Sequence, residues 1–289
     1  MIITELTGGL GNQMFQYAAG LQLAKKLNSR LYLRTNYLEK NDKLRNLQLD
    51  KFTIDAKIIN EFAYRLIRSR YLMMMNRLVP INLHFEEIID DVENGRDLTN
   101  VYGNAYLFGY WGLYVNYKNI LPLMRKHLKL KKKYHSKLFK DAINFIKNKS
   151  YVVVHIRRTD YLNETNKLIF KSLPHEYYEK SLAYIKNKIN DIQLLIFTDD
   201  IKWVKQNFQF NIPINYASDF HLSDYEEFEL MRNCTSIIIA NSTFSWWASA
   251  LNYNEKCNRI QPRIWYNNES FQQLYDMNKI LFLNDIVKI

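Results

Sequence analysis

A run of apolar residues that ends in charged ones most constrains the fold of this chain. Residues 151–154 read Tyr-Val-Val-Val, and four β-forming side chains in a row are typical of a strand inside a parallel sheet that is covered on both faces. The next polar residues are His155, Arg157, Arg158 and Asp160. Ligands of open α/β sheets bind at the carboxyl ends of the strands. The run therefore predicts an α/β protein with a polar binding edge.

Two adjacent arginines predict an anionic ligand at that edge. The guanidinium groups of Arg157 and Arg158 stay charged at ordinary pH, and each planar fork fits a pair of phosphate oxygens. A diphosphate site is therefore our first interpretation. The alternative is a surface turn in which one of the two arginines forms a salt bridge with Asp160.

The beginning of the chain predicts a β-α-β unit. Residues 2–7 form the expected strand, and Gly8-Gly9-Leu10-Gly11 form a tight turn before a helix over 12–27. Glycines at the first turn of such a unit are typical of nucleotide and phosphate sites. Met14 stands where a dinucleotide-binding fingerprint needs its third glycine, and the Gly-Lys-Ser/Thr ending of a P-loop is absent. Neither an NAD enzyme nor a P-loop ATPase is supported.

In the second half of the chain, predicted strands alternate with predicted helices, which indicates a doubly wound parallel sheet. Polar residues follow two further strands there, so three polar clusters should share one edge. Asp199 and Asp200 follow one strand, and Asn241, Ser242 and Thr243 precede a helix. A helix start offers free N–H groups and a positive dipole end to a phosphate.

Each cluster also has a simpler explanation. Ser242 or Thr243 could serve only as a helix N-cap, as could Asp199 or Asp200 for the helix that follows them. His155 could be an ordinary core histidine. The convergence of three such clusters on one edge favours a common ligand.

Composition bounds the class of protein. The 289 residues are 47% hydrophobic and 24% charged, which fits two globular domains, and the net charge of +11 favours anionic partners. Cys234 and Cys257 lack metal-ligand spacing, so we expect no structural zinc and a reducing, cytoplasmic environment. Neither a signal peptide nor a membrane span is predicted. Residues 129–133 are the linker candidate and could face an anionic bilayer.

Three segments together resemble the bacterial α-1,2-fucosyltransferases of glycosyltransferase family 11. They are the Gly-Gly-Leu-Gly-Asn-Gln-Met-Phe-Gln-Tyr-Ala run at 8–18, the His-Ile-Arg-Arg-Thr-Asp-Tyr run at 155–161 and the Asn-Ser-Thr-Phe-Ser-Trp-Trp-Ala run at 241–248. Segments 108–111 and 197–200 look similar too. The His-x-Arg-Arg-x-Asp core is shared with α-1,6- and protein O-fucosyltransferases, so it marks only the wider superfamily.

The resemblance implies a GT-B fold, in which two Rossmann-like domains face each other across a cleft. Residues 1–135 would form the acceptor-side domain and residues 136–289 the GDP-fucose-binding domain, with the C-terminal segment able to pack back on the first. It also implies transfer of L-fucose from GDP-β-L-fucose to the 2-hydroxyl of a terminal β-galactoside, free or lipid-linked, as in O-antigen or capsule synthesis. Inversion without a metal or other cofactor is expected. Peripheral contact with the inner membrane is an open alternative, which a lipid-linked acceptor would favour.

Roles for individual residues follow from the same resemblance. Arg157, with Arg158 beside it, would hold the β-phosphate and stabilise the leaving GDP. Asp160 and Glu164 are the candidates for a catalytic base that lie nearest in the sequence, and the alternatives are that Asp160 only orients an arginine or that neither is the base. The expected nucleotide and sugar contacts are His155, Asp199 and Asp200 at the guanine or ribose; Asn241, Ser242, Thr243 and Phe244 at the diphosphate; and Gly9, Asn12 and Gln13 from the other domain.

Two alternatives stay open on the sequence. One is a related fucosyltransferase of another linkage, such as α-1,6. The other, from a different class, is a basic nucleic-acid-binding protein, which the net charge of +11 and the 15% aromatic content would suit. The polar strand ends favour the transferase, for which no nucleic-acid partner is expected.

Overall fold

The computed structural model describes residues 1–42, 44–68, 85–91, 97–147, 149–162 and 164–289 of the chain. It divides into two compact units, Met1–Leu128 and Lys129–Ile289. The linker candidate at 129–133 thus begins the second unit, a few residues before the boundary expected from the sequence. A helix was also expected over residues 62–78; its part from residue 69 onward, with the run Met73-Met74-Met75, lies outside the described residues.

The first unit contains a five-stranded parallel sheet in the order β3-β2-β1-β5-β4. The chain runs from β1 outward to one side and then returns to the other side of β1, so the strand order switches between β1 and β5. The strands are β1 (Ile2–Glu5), β2 (Leu31–Arg34), β3 (Lys57–Ile59), β4 (Phe85–Ile89) and β5 (Asn104–Phe108).

Helices connect these strands. The first and longest, α1, spans Leu10–Lys26 and confirms the helix predicted after the glycine turn. Thirteen of its seventeen residues are buried, so it is a core helix of this unit. The other helices in the described residues of this unit are α2 (Asn36–Lys40), α3 (Glu61–Arg68) and α4 (Leu121–His127), with 3₁₀ turns at Leu49–Lys51 and Tyr114–Asn116.

The second unit contains a six-stranded parallel sheet in the order β11-β10-β9-β6-β7-β8. The strand predicted from the Tyr-Val-Val-Val run is β6, in the middle of the sheet, and its residues 151–156 are buried. The strands are β6 (Ser150–Ile156), β7 (Ile192–Thr198), β8 (Ile214–Tyr216), β9 (Ser236–Ile238), β10 (Asn258–Gln261) and β11 (Ile286–Lys288). The last strand of the chain is therefore an edge of this second sheet.

Helices and 3₁₀ turns again fill the connections. Val152, Val154 and Ile156 of β6 pack in a core with Tyr177, Leu182 and Ile185 of α7. The helices are α5 (Lys137–Ile146), α6 (Glu164–Ile169), α7 (His175–Lys186), α8 (Ile201–Asn207), α9 (Asp224–Met231), α10 (Thr243–Ala250) and α11 (Glu269–Asp276), and the turns are Lys132–Tyr134, Thr159–Leu162 and Ala217–Phe220.

The order of the second sheet defines where a ligand should bind. The chain proceeds from β6 to β7 and β8 on one side, and then places β9, β10 and β11 on the other side. In doubly wound sheets, ligands bind outside the carboxyl ends of the two strands between which the order switches. Here those strands are β6 and β9. In the described ranges, the helices are too short or too polar to cross a bilayer.

Candidate functional site

His155 lies at the end of β6 and is almost completely buried. Burial first, and the positive charge of Arg157 second, lower the pKa of its imidazole to about 3, so the ring is neutral at physiological pH. Its Nδ1 atom is buried without a hydrogen-bond partner. An unpaired buried polar atom carries a cost of about 1–3 kcal/mol that a ligand can remove.

The carboxylate of Asp199, at the end of β7, holds the turn that follows β6. Oδ1 accepts a hydrogen bond from the backbone N–H of Arg158 at 2.9 Å, and Oδ2 accepts one from the N–H of Thr159 at 3.1 Å. The Thr159 hydroxyl also donates to Oδ2. Nε of Arg157 lies 3.3 Å from the same oxygen. Asp199 therefore fixes both the backbone of the turn and the side chain of its first arginine.

Asp200 fixes the second arginine. Its Oδ2 lies 2.8 Å from Nη1 of Arg158, and its Oδ1 accepts a hydrogen bond from the N–H of Trp203 at 3.1 Å. The guanidinium of Arg158 also lies 4.4 Å above the Trp203 ring. The interpretation of Asp200 as a helix cap is confirmed, because this carboxylate is the N-cap of α8. Arg158 is thus held by a carboxylate and an aromatic face.

These ion pairs change the sequence-based interpretation of the two arginines. We expected an anionic ligand to balance them, or else a salt bridge to Asp160. The structure places two carboxylates from the neighbouring strand end against them, so the formal charges of Arg157, Arg158, Asp199 and Asp200 sum to zero. Attraction of a phosphate would then come from directed guanidinium N–H groups rather than from excess charge. The side chain of Asp160 lies outside the described part of the structure.

The third polar cluster begins α10, after β9. Ser242 occupies the N-cap position with an extended backbone, and its hydroxyl makes no capping hydrogen bond. Ser242, Thr243 and Phe244 are each partly exposed. The first turn of α10 contains no acidic residue, so no fixed negative charge opposes an anion there. The N–H groups at such a helix start can donate hydrogen bonds to a phosphate oxygen.

Asn241 has a structural role just before that helix. It is buried, and its side-chain amide donates to the carbonyl oxygens of Trp265, at 3.0 Å, and Lys171. The hydroxyl of Tyr161 donates to the backbone carbonyl of Asn241 and so ties the turn after β6 to the loop after β9. The Oδ1 atom of Asn241 is buried without a partner.

Phe244 joins the two strand ends through its ring. The ring centroid lies 6.2 Å from that of His155 and 5.5 Å from that of Phe228 on α9. His155, Phe244, Arg157 and Ser242 thus belong to one edge, outside the carboxyl ends of β6 and β9. The convergence of strand ends that the sequence predicted is present at the switch in strand order.

Glu164 is placed differently from these residues. It begins α6, its side chain is 94% exposed, and its carboxylate pairs with Lys167 on the same helix at 3.3 Å. Solvent screens such a pair strongly. The predicted role of Glu164 as a base stays a prediction.

Three residues near this edge were missed by the sequence reasoning. Thr159 and Tyr161 hold the turn through hydrogen bonds, and both stand within the same run of sequence as the arginines. Glu227 lies on α9 next to Phe228. Burial first, and the charge of Asp224 second, raise the pKa of Glu227 to about 7. A pKa so far from the ordinary range indicates a candidate functional group, but sequence spacing gives no sign of it.

The glycine turn of the first unit has a strict conformation. Gly8 has φ of +69°, and a Cβ atom placed there would lie 2.6 Å from Nδ2 of Asn12. Gly9 is the N-cap of α1 and has no side chain to cap the helix. The predicted contact residues Gly9 and Asn12 therefore lie in a turn that only glycine allows, at the carboxyl end of β1.

Gln13 has a role different from the direct contact expected of it. The side chain is fully buried, and both of its donor hydrogens and its acceptor oxygen are used inside the unit. Nε2 donates to the carbonyl oxygens of Gly8 and Asn46, both at 2.9 Å, and Oε1 accepts from the N–H groups of Gln48 and Leu49, both at 3.1 Å. Gln13 therefore braces the glycine turn against the loop at 46–49.

The described residues contain no group of three or more His, Cys, Asp or Glu side chains placed to hold a metal ion. Both cysteines, Cys234 and Cys257, are buried free thiols. Burial raises the pKa of the Cys234 thiol well above its usual range, which makes it a poor nucleophile at neutral pH.

Solved structures that are similar to the chain share its fold. The NodZ α-1,6-fucosyltransferase soaked with GDP-fucose has a TM-score of 0.52 at 13% identity, over 86% of this chain and 91% of that one. The same enzyme co-crystallised with GDP gives 0.52 at 12% identity, over 86% and 90%. At this identity the likeness shows the fold alone. The predicted α/β fold of GT-B type is confirmed.

Relatives at higher identity cover nearly the whole chain. The O-antigen biosynthesis glycosyltransferase WbnK of Escherichia coli is 32% identical over 92% of this chain and 95% of its own length. The alpha-1,2-colitosyltransferase of Escherichia coli is 28% identical over 93% of each. The sequence profile described as glycosyl transferase family 11 matches residues 1–281. This chain belongs to glycosyl transferase family 11.

Proposed function

We propose that this glycosyltransferase moves L-fucose from GDP-β-L-fucose to the 2-hydroxyl of a terminal β-galactoside, with inversion and without a metal ion. The names of the two Escherichia coli relatives support a role in assembling a surface polysaccharide such as an O-antigen. The solved structures that share the fold include complexes with GDP-fucose and GDP.

One observation carries the proposal: the groups outside the ends of β6 and β9 suit a nucleoside diphosphate. Arg157 is oriented by Asp199 at 3.3 Å, and α10 begins without a side-chain cap or an acidic residue in its first turn. Between them lies His155, neutral and with an unpaired Nδ1. Directed cationic and N–H donors serve the phosphates, and a neutral imidazole can hydrogen-bond a ribose or base.

The reaction needs stabilisation of a leaving diphosphate. The bond between C1 of fucose and the β-phosphate oxygen breaks, and GDP leaves with the electron pair. The 2-hydroxyl oxygen of the acceptor bonds to C1 from the opposite face, so the β-linked donor gives an α-linked product. The hydroxyl proton passes to a base. The products are therefore the fucoside, GDP and one proton, and the reaction balances.

Fixed donors take the place of a metal ion in this scheme. Arg157 would bind the β-phosphate as its negative charge grows, and the start of α10 would bind a second phosphate oxygen. Preorganised donors of this kind each stabilise a transition state by about 2.7–4 kcal/mol. Asp160 and Glu164, on the segment after β6, are the candidates for the base that accepts the proton.

The name of one relative supports a second candidate for the donor sugar nucleotide. The 28% identical protein is named an alpha-1,2-colitosyltransferase. Colitose is L-fucose without its 3-hydroxyl, so one diphosphate site could serve both sugar nucleotides. Discrimination would then depend on a hydrogen bond to that hydroxyl, since a site built to bond a hydroxyl strongly rejects the analogue that lacks it.

The test is a donor and acceptor panel with the full chain. GDP-fucose, GDP-colitose, GDP-mannose and a UDP-sugar are each incubated with lactose or methyl β-D-galactopyranoside, with and without EDTA. NMR of the product then gives the linkage and the anomeric configuration. We expect an α-1,2 product from GDP-fucose at the same rate in EDTA. A β-linked or 1,6-linked product, or a strict requirement for Mn²⁺, would contradict the proposal.

Contact with a membrane is part of the same proposal, because a lipid-linked acceptor would lie on one. Lys132 and Lys133 are exposed in a 3₁₀ turn, in a segment with Lys129 and Lys131 nearby. Each lysine near an anionic bilayer contributes about 1 kcal/mol. Flotation with vesicles that contain phosphatidylglycerol, compared with a variant in which both exposed lysines are changed to Gln, tests this contact. Equal flotation of the two proteins would contradict it.

A further inference from the structure

The first unit has its own switch in strand order. The chain places β2 and β3 on one side of β1, and β5 and β4 on the other. The crevice outside the carboxyl ends of β1 and β5 is therefore where a ligand of this sheet should bind. The glycine turn follows β1, and the segment Gly109-Tyr110-Trp111 follows β5.

That second segment has an unusual backbone. Trp111 has φ of +60°, a conformation that is strained for a bulky residue by about 1–3 kcal/mol. Gly109 has φ of +140°, and a Cβ atom there would lie 2.1 Å from Cβ of Asp90. Strain of this kind persists only where the surrounding structure fixes it, and it is concentrated at functional sites.

Contacts of Asp90 and Trp111 hold this segment in its strained conformation. Oδ2 of Asp90 accepts hydrogen bonds from the N–H groups of Tyr110, at 3.0 Å, and Trp111, at 2.7 Å. The backbone N–H of Asp90 donates to the carbonyl oxygen of Phe108 at 2.8 Å. The Trp111 side chain is completely buried and anchors the turn in the core.

Tyr110, between these two anchors, is turned to solvent. It is 56% exposed, although both of its neighbours in the turn are held tightly. Packing explains the buried Trp111, but it does not explain why a strained turn should leave more than half of a large aromatic side chain exposed. A ring on a backbone that is already fixed loses less conformational entropy when a ligand stacks on it than a ring on a mobile loop would.

A second tyrosine lies nearby. Tyr37, at the start of α2 after β2, is 37% exposed, and its ring lies 5.7 Å from that of Phe108. Its backbone N–H donates to Oε1 of Glu5, at the end of β1, at 2.6 Å. The pKa of Tyr110 is raised by burial of its phenol and then by the charges of Tyr37 and Asp42, which agrees with their closeness.

We propose that Tyr110, supported by Tyr37, forms the platform on which the acceptor sugar stacks. The inference rests on the proposed function and adds to it the place where the acceptor binds. A β-galactoside presents C–H groups at C3, C4 and C5 on one face, and such an apolar face packs well on an aromatic ring. The carboxylate of Asp42 is a hydrogen-bond acceptor for the sugar hydroxyls at the side of the ring.

Saturation-transfer NMR with methyl β-D-galactopyranoside tests the platform without any donor. We expect the strongest transfer at H3, H4 and H5 with the unchanged chain, and loss of most of that transfer in Tyr110→Leu. In the fucosyl-transfer assay, Tyr110→Leu should raise KM for the galactoside at least about tenfold, and the Kd for GDP should stay within about twofold. Tyr110→Phe keeps the ring and should retain KM within about threefold.

Tyr102 offers a matched control. It is 76% exposed, but it precedes β5 and so lies at the opposite edge of the sheet from Tyr110. Tyr102→Leu should leave both the saturation transfer and the KM unchanged. Circular dichroism and thermal unfolding establish that each variant is folded, and Tyr37→Leu provides a second change to the platform, with a smaller expected rise in KM.

The outcomes separate this inference from the proposed function. If the chain fails to use GDP-fucose but galactoside binding still depends on Tyr110, the donor assignment is wrong and the platform stands. If fucose is transferred while Tyr110→Leu keeps the original KM and saturation transfer, the platform is wrong and the proposed function stands. An equal loss in Tyr102→Leu, or no saturation transfer with the unchanged chain, also overturns the platform.

Discussion

Nε of Arg157 lies 3.3 Å from Oδ2 of Asp199, and this ion pair ties the end of β6 to the end of β7. The same carboxylate accepts two backbone hydrogen bonds from the turn after β6. One residue at the end of the neighbouring strand therefore contacts both the Arg157 side chain and the backbone of the turn.

We expect Asp199→Ala to lower turnover at least about tenfold, because it releases the turn that presents Arg157. The free energy of unfolding should fall by about 1–3 kcal/mol, since two partly exposed backbone N–H groups lose a charged acceptor. Asp199→Asn keeps an acceptor oxygen and should lose less stability. Asp141→Ala, an exposed carboxylate change on α5, is the control. Turnover with saturating donor and urea unfolding are the measurements, and unchanged turnover in Asp199→Ala would contradict this role.

Removing the side chain of Arg157 and removing that of Arg158 should affect turnover and stability differently. Arg157→Ala should reduce kcat by about 10²–10³ while the protein stays folded, since a lost transition-state donor costs about 2.7–4 kcal/mol. Arg158→Ala removes the contacts with Asp200 and the Trp203 ring, so it should act first on stability. Steady-state kinetics and thermal unfolding on both variants separate these effects. Turnover of Arg157→Ala within tenfold of the unchanged protein would show that Arg157 is not the phosphate donor.

Much of the second sheet could be predicted from local sequence. The apolar run at 151–154 indicates a central strand, and parallel strands bring their carboxyl ends to one edge, so the meeting of His155 with the α10 start follows from topology. The partners of the arginines do not follow. Asp199 reaches Arg157 because Ile156 pairs with Thr198 in register, which is a long-range relationship that spacing along the chain does not reveal.

Gln13 shows the same limit in the first unit. Its place in the glycine motif indicates a contact with substrate, but the loop at 46–49 comes back to its amide and uses all of its hydrogen-bonding capacity. The raised pKa of Glu227 is also invisible to sequence, since burial on α9 causes most of it. Roles that depend on distant segments are the ones that spacing along the chain does not reveal.

Glu227 should give the protein a measurable dependence of stability on pH. The folded state raises the carboxyl pKa from 4.5 to about 7, so the folded state binds the proton more tightly than the unfolded state. Its stabilising contribution is complete below about pH 4.5 and is lost as pH rises through 7. Glu227→Gln removes this dependence. The free energy of unfolding of the variant minus that of the unchanged protein should therefore be larger at pH 8 than at pH 5.

Urea unfolding of both proteins at the two pH values measures that difference. Other titrating groups, such as His155, are present in both proteins and cancel in the comparison. The slope should not exceed about 1.4 kcal/mol per pH unit, the limit for one proton. An equal stability difference at pH 5 and pH 8 would show that the carboxyl titrates in its ordinary range.

Gln13→Glu tests the brace on the glycine turn. A carboxylate cannot donate to the carbonyl oxygens of Gly8 and Asn46, and it places a charge in a fully buried position. We expect a loss of about 2–4 kcal/mol in the free energy of unfolding, because two acceptors lose their donors and the charge is desolvated. Gln22→Glu, on the same helix but partly exposed, is the matched change and should cost less.

Kinetic measurements show whether Gln13 supports the glycine turn or only the helix that carries it. The Gly8 turn lies at the carboxyl end of β1, where ligands of this sheet should bind, so its displacement should lower kcat of the folded fraction of Gln13→Glu. Gln22 bonds to Val115 and Asn119, away from that turn, so the change to Glu should leave kcat unchanged once the loss of stability is accounted for. Equal kcat values for the two variants, measured at a temperature where both are folded, would mean that Gln13 supports the helix but not the turn.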